Sequence, residues 1–294
     1  MMNPAIRGLL VASGLDPVYV VNLCAMALDE DSDGGVDLTS VATVPFDAEG
    51  TATFVPRSPG VVAGLPVVAA LMQAVSDDDV LVEIVATDGD HVEAGQPLLR
   101  VTGLVRTLLT GERPALNLLC HLSGVATLTR RWVDAVAGTG AAIRDTRKTT
   151  PGLRALEKYA VRCGGGTNHR MSLSDEALIK DNHVVAAGGV AGAYRAVRTT
   201  FPDVVVQVEC DTVAQVQEAV DVGARLILLD NMDIGSLAAS VEIARRAGAK
   251  TEASGGLTLE TAAAVASTGV DFLAIGALTH SAPVLDIGLD LASR

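Results

Sequence analysis

From residue 141 onward the sequence alternates short apolar runs with amphipathic segments, and this rhythm limits the folds open to the chain. The candidate strands are AAIRDT (141–146), ALIKD (177–181), VVVQVEC (204–210), RLILLDN (225–231), KTEAS (250–254) and DFLAIGA (271–277). Between them lie PGLRALEKYAVRC, VAGAYRAVRTTF, TVAQVQEAVDVG, IGSLAASVEIARRAG and LTLETAAAVASTG, which read as helices, several closed by glycine. Repeated strand–helix units predict a parallel sheet covered by helices. Six clear strands fall short of a full eight-stranded barrel. The expectation is an incomplete α/β barrel of six or seven strands, with an open doubly wound sheet as the alternative. Nearly every strand ends in polar or glycine residues: Arg147-Lys148, Lys180-Asp181-Asn182, Glu209, Asp230-Asn231, Ser254-Gly255-Gly256 and Gly276. In a barrel of such units the loops after the strand ends converge on one mouth, where the chemistry sits.

The first half reads differently. Residues 1–30 look helical, 41–56 look like a strand, and 58–102 hold a helix (AALMQAV) among short strands and glycine turns. TDGDHVEAGQPLLRVTG resembles the half-repeat of biotinyl and lipoyl carriers. Those carriers need a hairpin lysine, and no lysine precedes Lys148, so the pattern is structural. Residues 104–137 read as one long helix or two, with Pro114 and Gly124 as break points. The domain boundary is placed near 112–116, giving an α/β domain over 1–114 and the barrel over 115–278.

Composition narrows the function. Aromatics are 3% of residues against 49% hydrophobic, so the core must be aliphatic. A net charge of −13 argues against nucleic acid or an anionic membrane as partner. The four cysteines lie far apart without CxxC spacing, as expected of reduced thiols in a cytoplasmic protein. The N-terminus lacks the apolar run of a signal peptide, and Val18–Leu28 is too short to span a bilayer.

Against this acidic background, residues 144–180 carry eight basic and four acidic residues, a net +4 that leaves −17 for the remainder. Such an island is costly in self-repulsion unless it binds an anion. Arg154, Lys158 and Arg162, spaced by four, read as a solvated helix face. Arg147, Lys148, His169, Arg170 and Lys180 sit at strand ends or in a glycine-rich loop and read as an anion site. Glu209 and Asp230 end apolar strands. They either pair with those cations or hold ribose hydroxyls, directly or through Mg²⁺, beside a carbon that becomes positive. Ser254-Gly255-Gly256 before a helix, with the Gly276 turn, reads as a phosphate cradle or else as a helix-capping turn. His169 and His280 are either site residues or core histidines. No His/Cys/Asp spacing supports a structural metal.

Seven stretches in this order, RDTRKTTPGLR, GGGTNHR, ALIKDNH, VVQVEC, LILLDN, ASGGL and AIGALTH, resemble the quinolinate phosphoribosyltransferase family, from GVDLTS to HSAPVLDIGLD. The resemblance implies an α/β sandwich domain followed by an incomplete barrel, with the tail 279–294 returning to the first domain. It implies transfer of phosphoribosyl from 5-phosphoribosyl-1-pyrophosphate to quinolinate with loss of CO₂, using Mg²⁺, to give nicotinate mononucleotide. Carried over, Lys148, Glu209 and Asp230 are catalytic, the two carboxylates doubling as metal ligands. Arg147, His169, Arg170, Lys180, Ser254, Gly255, Gly256, Gly276 and His280 bind substrate. Arg113 matches an arginine supplied across a homodimer interface, in a dimer or a hexamer with shared sites. Thr150 departs from the hydrophobic residue that often stands there. The alternatives are a paralogue acting on another aromatic carboxylate and a non-catalytic phosphosugar-binding module.

Overall fold

Helix starts in the first part of the chain are written in side-chain caps. Asn3 accepts a hydrogen bond from Ala5 N and starts α1 (Pro4–Ala12), and Asp16 accepts one from Val18 N and starts α2 (Pro17–Ser32). Both helices carry proline at their first position, where no N–H is needed. The helical character expected over 1–30 is carried by these two helices. Asp37 caps α3 (Leu38–Thr43), so the strand expected over 41–56 begins only at β1 (Glu49–Pro56). There follow β2 (Gly60–Val61), α4 (Leu65–Ala74), β3 (Leu81–Ile84), β4 (His91–Val92), β5 (Leu99–Leu104) and α5 (Val105–Ala135). This computed structural model describes residues 2–75 and 80–292.

The chain forms two compact units, residues 1–128 with 155–165 and 281–294, and residues 129–154 with 166–280. The first change-over falls between residues 128 and 129, inside α5. Pro114 sits within α5 without ending it, although an interior proline removes one hydrogen bond at a cost of ~3 kcal/mol. Gly124 is not a break either: a side chain there would overlap the backbone of Pro283 and Val284.

In the first unit four antiparallel strands lie in the order β12-β1-β5-β3, where β12 (Ile287–Leu291) is the returning tail, paired from Ala52↔Leu291 to Pro56↔Ile287. α4 is the centre of its core, buried from Leu65 to Gln73. Asp88 caps it, accepting from Gly64 N at 2.8 Å, Leu65 N at 3.1 Å and the Tyr159 hydroxyl at 2.6 Å. α6 (Arg154–Cys163) corrects the solvated-face expectation at Lys158, while Arg162 is exposed as expected and Arg154 is half-buried. Lys158 and Glu157 are both fully buried, Glu157 against His121 Nε2 at 2.9 Å. Spacing by four marks a helical stripe but not what covers it. Among the described residues no single helix is long and apolar enough to cross a bilayer.

The second unit carries the βα series: β6 (Ala142–Arg144), β7 (Glu176–Ile179), α7 (Asp181–Ala186), α8 (Val190–Thr200), β8 (Val205–Cys210), α9 (Val213–Asp221), β9 (Leu226–Asp230), α10 (Ile234–Arg246), β10 (Lys250–Ser254), α11 (Leu259–Ala266), β11 (Phe272–Ala274) and α12 (Ala277–His280). All six expected strands are present and parallel, in the order β6-β11-β10-β9-β8-β7. Each strand from β7 to β11 neighbours its successor, and β11 pairs with β6. That closure of last on first belongs to a barrel with one seam, between β6 and β7, and not to an open doubly wound sheet. The seam is partly bridged by Thr167, which exchanges backbone bonds with β6: Thr167 N donates to Ile143 O at 2.8 Å and Asp145 N to Thr167 O at 3.2 Å. Gly223, Gly248 and Gly269 end α9, α10 and α11 with positive φ, as the glycine spacing suggested.

Candidate active site

Side chains alternate across a strand, so residues two apart on one strand share a face. In the second unit the pairs Gln207 and Glu209, Leu228 and Asp230, and Glu252 and Ser254 are placed this way on β8, β9 and β10. All but Gln207 line one cavity of about 370 Å³ at the C-terminal strand ends. Thr146, Arg147 and Lys148 enter it after β6, His169 and Arg170 from the loop that bridges the seam, and Lys180 from the end of β7. Leu178 and Ala274 complete the wall. The cationic cluster and both carboxylates expected from the sequence therefore meet in one place.

The cations are held by backbone contacts that leave their charges facing the cavity. Lys148 N donates to Thr146 Oγ1 at 3.0 Å and Lys148 O accepts from Thr279 Oγ1 at 2.7 Å. Arg154 braces the same loop, donating to Thr149 Oγ1 at 3.0 Å, Met171 O at 3.0 Å and Arg147 O at 3.4 Å, which is more than a solvated helix face would do. Arg147 Nε is buried with no hydrogen-bond partner among the described residues, and an unmet guanidinium donor in a cavity suits an anion. Arg170 donates to Glu176 O at 2.6 Å. Burial, and then the like charge of Arg147, pull its guanidinium below the ordinary value. Two half-buried arginines that repel each other suit an anion between them.

Of the carboxylates, Glu209 accepts from Lys180 Nζ at 2.9 Å, and Asp230 accepts from Asn231 Nδ2 at 2.6 Å. The β9 and β10 turns interlock. Asn231 N donates to Ser254 O at 2.9 Å, and Gly255, at φ +86°, lies where an added Cβ would overlap the Asn231 side chain. Only glycine fits that conformation and that approach. Ser254 lines the cavity; Gly255 and Gly256 follow it in the loop before α11. At Gly276 an added Cβ would meet both Lys148 Cδ and His280 Nε2 at 3.2 Å, so Gly276, Lys148 and His280 form one corner. Gly276 and His280 are not among the cavity-lining residues. Arg113 is exposed on α5, in the first unit, and is not among them either.

His169 is not a free cation. It is 6% exposed; its Nδ1 accepts from Arg170 N at 2.7 Å, and its Nε2 lies 2.9 Å from Gln207 Oε1. Glu252 and Gln207, both fully buried, escaped the sequence reading. The signal was present: each stands two residues before a site residue inside an otherwise apolar strand.

Two family models match the chain: the C-terminal domain of quinolinate phosphoribosyl transferase over residues 125–290 and its N-terminal domain over 37–123. The chain belongs to the quinolinate phosphoribosyltransferase family. It is similar to a family member of Mycobacterium leprae, a nicotinate-nucleotide pyrophosphorylase (carboxylating), at 53% identity over 271 residues, 90% of this chain and 94% of that one. The chloroplastic family member of Arabidopsis thaliana is 40% identical, covering 90% of this chain and 81% of its own. Among solved family structures, that of Francisella tularensis superimposes with a TM-score of 0.90 at 33% identity, covering 95% of this chain and 98% of that one. These likenesses span both the sheet domain and the barrel of the family.

Proposed function

We propose that this cavity performs the reaction for which the family is named: phosphoribosyl transfer from 5-phosphoribosyl-1-pyrophosphate to quinolinate with loss of CO₂. The observation that carries the reading is the convergence of Arg147, Lys148, Arg170 and Lys180 on one small cavity that also holds Glu209 and Asp230. One substrate is a dicarboxylate and the other bears three phosphate units, so several fixed cations are what the pair requires. Arg147 and Arg170 take the two carboxylates of the pyridine acid. Ser254, Gly255, Gly256 and Gly276 receive the 5-phosphate, and His280 closes that corner. Lys148 and Lys180 face the pyrophosphate side, and Lys180 exchanges Glu209 for substrate anions as they arrive.

Pyrophosphate leaves C1 of the ribose with its bonding electrons. Glu209 and Asp230 stabilise the oxocarbenium-like charge that develops there, and the pyridine nitrogen closes the new C–N bond. The ring nitrogen is then cationic. The 2-carboxylate leaves as CO₂, its bonding pair stays on C2 beside that nitrogen, and a proton fills the position to give nicotinate mononucleotide.

The donor set fits Mg²⁺ in a limited way. Among the described residues no group of three or more His, Cys, Asp or Glu side chains could hold a metal by itself. Mg²⁺ is commonly held by one or two carboxylates with substrate phosphates and water completing its shell. Glu209 and Asp230 are two such carboxylates. The ion would supply charge neutralisation on the leaving pyrophosphate.

Arg113 completes the proposal. Its exposure on α5, outside the cavity lining, supports a role at the partner's cavity in a homodimer with two equivalent shared sites. The functional test is a substrate comparison. Quinolinate must release pyrophosphate from the phosphoribosyl donor and nicotinate must not. Turnover of nicotinate at an equal or greater rate would favour the paralogue reading, and release with neither would leave a binding module.

A further inference from the structure

At the floor of the cavity a chain of polar groups leads from Arg144 to the backbone of Arg170. Arg144 Nη1 donates to Glu252 Oε2 at 2.7 Å. Gln207 Nε2 donates to the same oxygen at 3.2 Å. Gln207 Oε1 faces His169 Nε2 at 2.9 Å, and His169 Nδ1 accepts from Arg170 N at 2.7 Å. Gln207 and Glu252 are fully buried. Each link fixes the next. The Arg170 N–H needs a lone pair on Nδ1, so the ring proton lies on Nε2. That proton needs an acceptor, which turns the Gln207 amide so that its NH₂ points at Glu252. An NH₂ pointing there needs an acceptor, and Glu252 Oε2, which also accepts from Arg144, supplies it.

Two carboxylates pull the other way: Glu252, and the half-buried Glu176, which also faces the His169 ring. Glu252 Oε1 lies 3.4 Å from His169 Nε2, a distance that favours an imidazolium. An imidazolium would place a second proton on Nδ1, against the Arg170 N–H at 2.7 Å. That clash is direct and local, and it opposes the imidazolium.

We infer that Glu252 and Gln207 are positioning residues for the acceptor substrate: through a neutral, tautomer-locked His169 they fix the peptide of Arg170 and thereby aim its guanidinium at the dicarboxylate. His169 then contributes orientation and not charge. This rests on the reading of Arg170 as a carboxylate ligand. It sets Glu252 apart from Glu209 and Asp230, which face the phosphoribosyl donor.

Two measurements test the inference. The first is ¹⁵N NMR of the wild-type protein labelled at its five histidines, with His169 assigned by loss of its signals in His169→Gln. The expected spectrum at neutral pH shows Nε2 protonated and Nδ1 bare. An imidazolium, or the opposite tautomer, overturns the inference, and no activity is needed to see it. The second is steady-state kinetics of Glu252→Gln and Gln207→Met. The expected result is a rise of about tenfold in the KM for quinolinate, equivalent to about 1.4 kcal/mol, with the KM for the phosphoribosyl donor within about twofold of wild type. An unchanged KM for quinolinate, or equal rises for both substrates, overturns it. Where neither variant folds, the wild-type spectrum still decides. Wild-type turnover of quinolinate in the same assay checks the proposed reaction separately.

Discussion

Replacing Gly255 by alanine tests the interlocked turns of the phosphate cradle. Gly255 sits at φ +86°, and an added Cβ would overlap the amide of Asn231, the group that donates to Asp230. The left-handed conformation alone costs alanine ~1–2 kcal/mol. Relief of the overlap must come from Asn231, because the Gly255 backbone is held next to Ser254, whose carbonyl accepts from Asn231 N. Displacing Asn231 releases the Asp230 carboxylate, a loss of another ~1 kcal/mol for a single hydrogen bond. The sum of ~2–3 kcal/mol predicts a drop in Tm of about 3–5 °C in a chain of this size. It also predicts that the phosphoribosyl donor is handled worse: kcat/KM for that substrate falls about 10- to 100-fold. Calorimetric binding of quinolinate should stay within about twofold, since Arg147 and Arg170 lie on other loops. Differential scanning calorimetry, initial rates and the titration check the three numbers. Wild-type kcat/KM for the donor, or a loss confined to quinolinate, would refute the placement of the cradle at Gly255.

Lys148→Ala and Arg170→Ala should each keep the fold and lose about 2–4 kcal/mol of transition-state stabilisation, roughly 30- to 1,000-fold in kcat/KM; near-wild-type kinetics would remove that residue from the site. Glu209→Gln and Asp230→Asn should cut turnover more than quinolinate affinity, and a titration showing the reverse would exchange the two substrates' places. Asp175 accepts from Met171 N, Ser172 N and the Ser172 hydroxyl, and the hydroxyl contact first holds its carboxyl down at about 2. Because that value is depressed below the ordinary 3.8, the stability Asp175 lends is complete above about pH 4 and disappears as the pH falls towards about 2. The Tm gap between wild type and Asp175→Asn should close over that window; a gap independent of pH would sink the assignment. In mixtures of Arg113→Ala and Lys148→Ala subunits, each inactive alone, random exchange should restore about a quarter of wild-type sites; continued inactivity under conditions where wild-type subunits survive would remove Arg113 from the partner's site.

The parallel unit was legible because its physics is local. An apolar run bounded by glycine fixes a strand, and all six expected strands stand where the periodicity put them. Polar residues at the strand ends, with Lys180, Glu209 and Asp230 among them, could only be stabilised by facing the mouth. The barrel closure was less legible, since pairing of β11 with β6 joins residues far apart in sequence. Pro114 misled because propensity is a weak guide where tertiary packing holds a helix together. Lys158 misled for a related reason: spacing by four says which residues share a face, and burial depends on what packs against that face. Glu252 and Gln207 were hidden by the same logic, since a polar residue inside a strand reads as an exception until the strand's neighbours supply its partners.

The most direct test of the account follows both products in one reaction. Quinolinate labelled in its 2-carboxylate is incubated with the phosphoribosyl donor, Mg²⁺ and the wild-type protein, and released CO₂ and pyrophosphate are counted. The account predicts equal yields of the two, appearing at one rate, both abolished together in Asp230→Asn. Pyrophosphate without CO₂, or labelled carbon retained in the nucleotide, would contradict it.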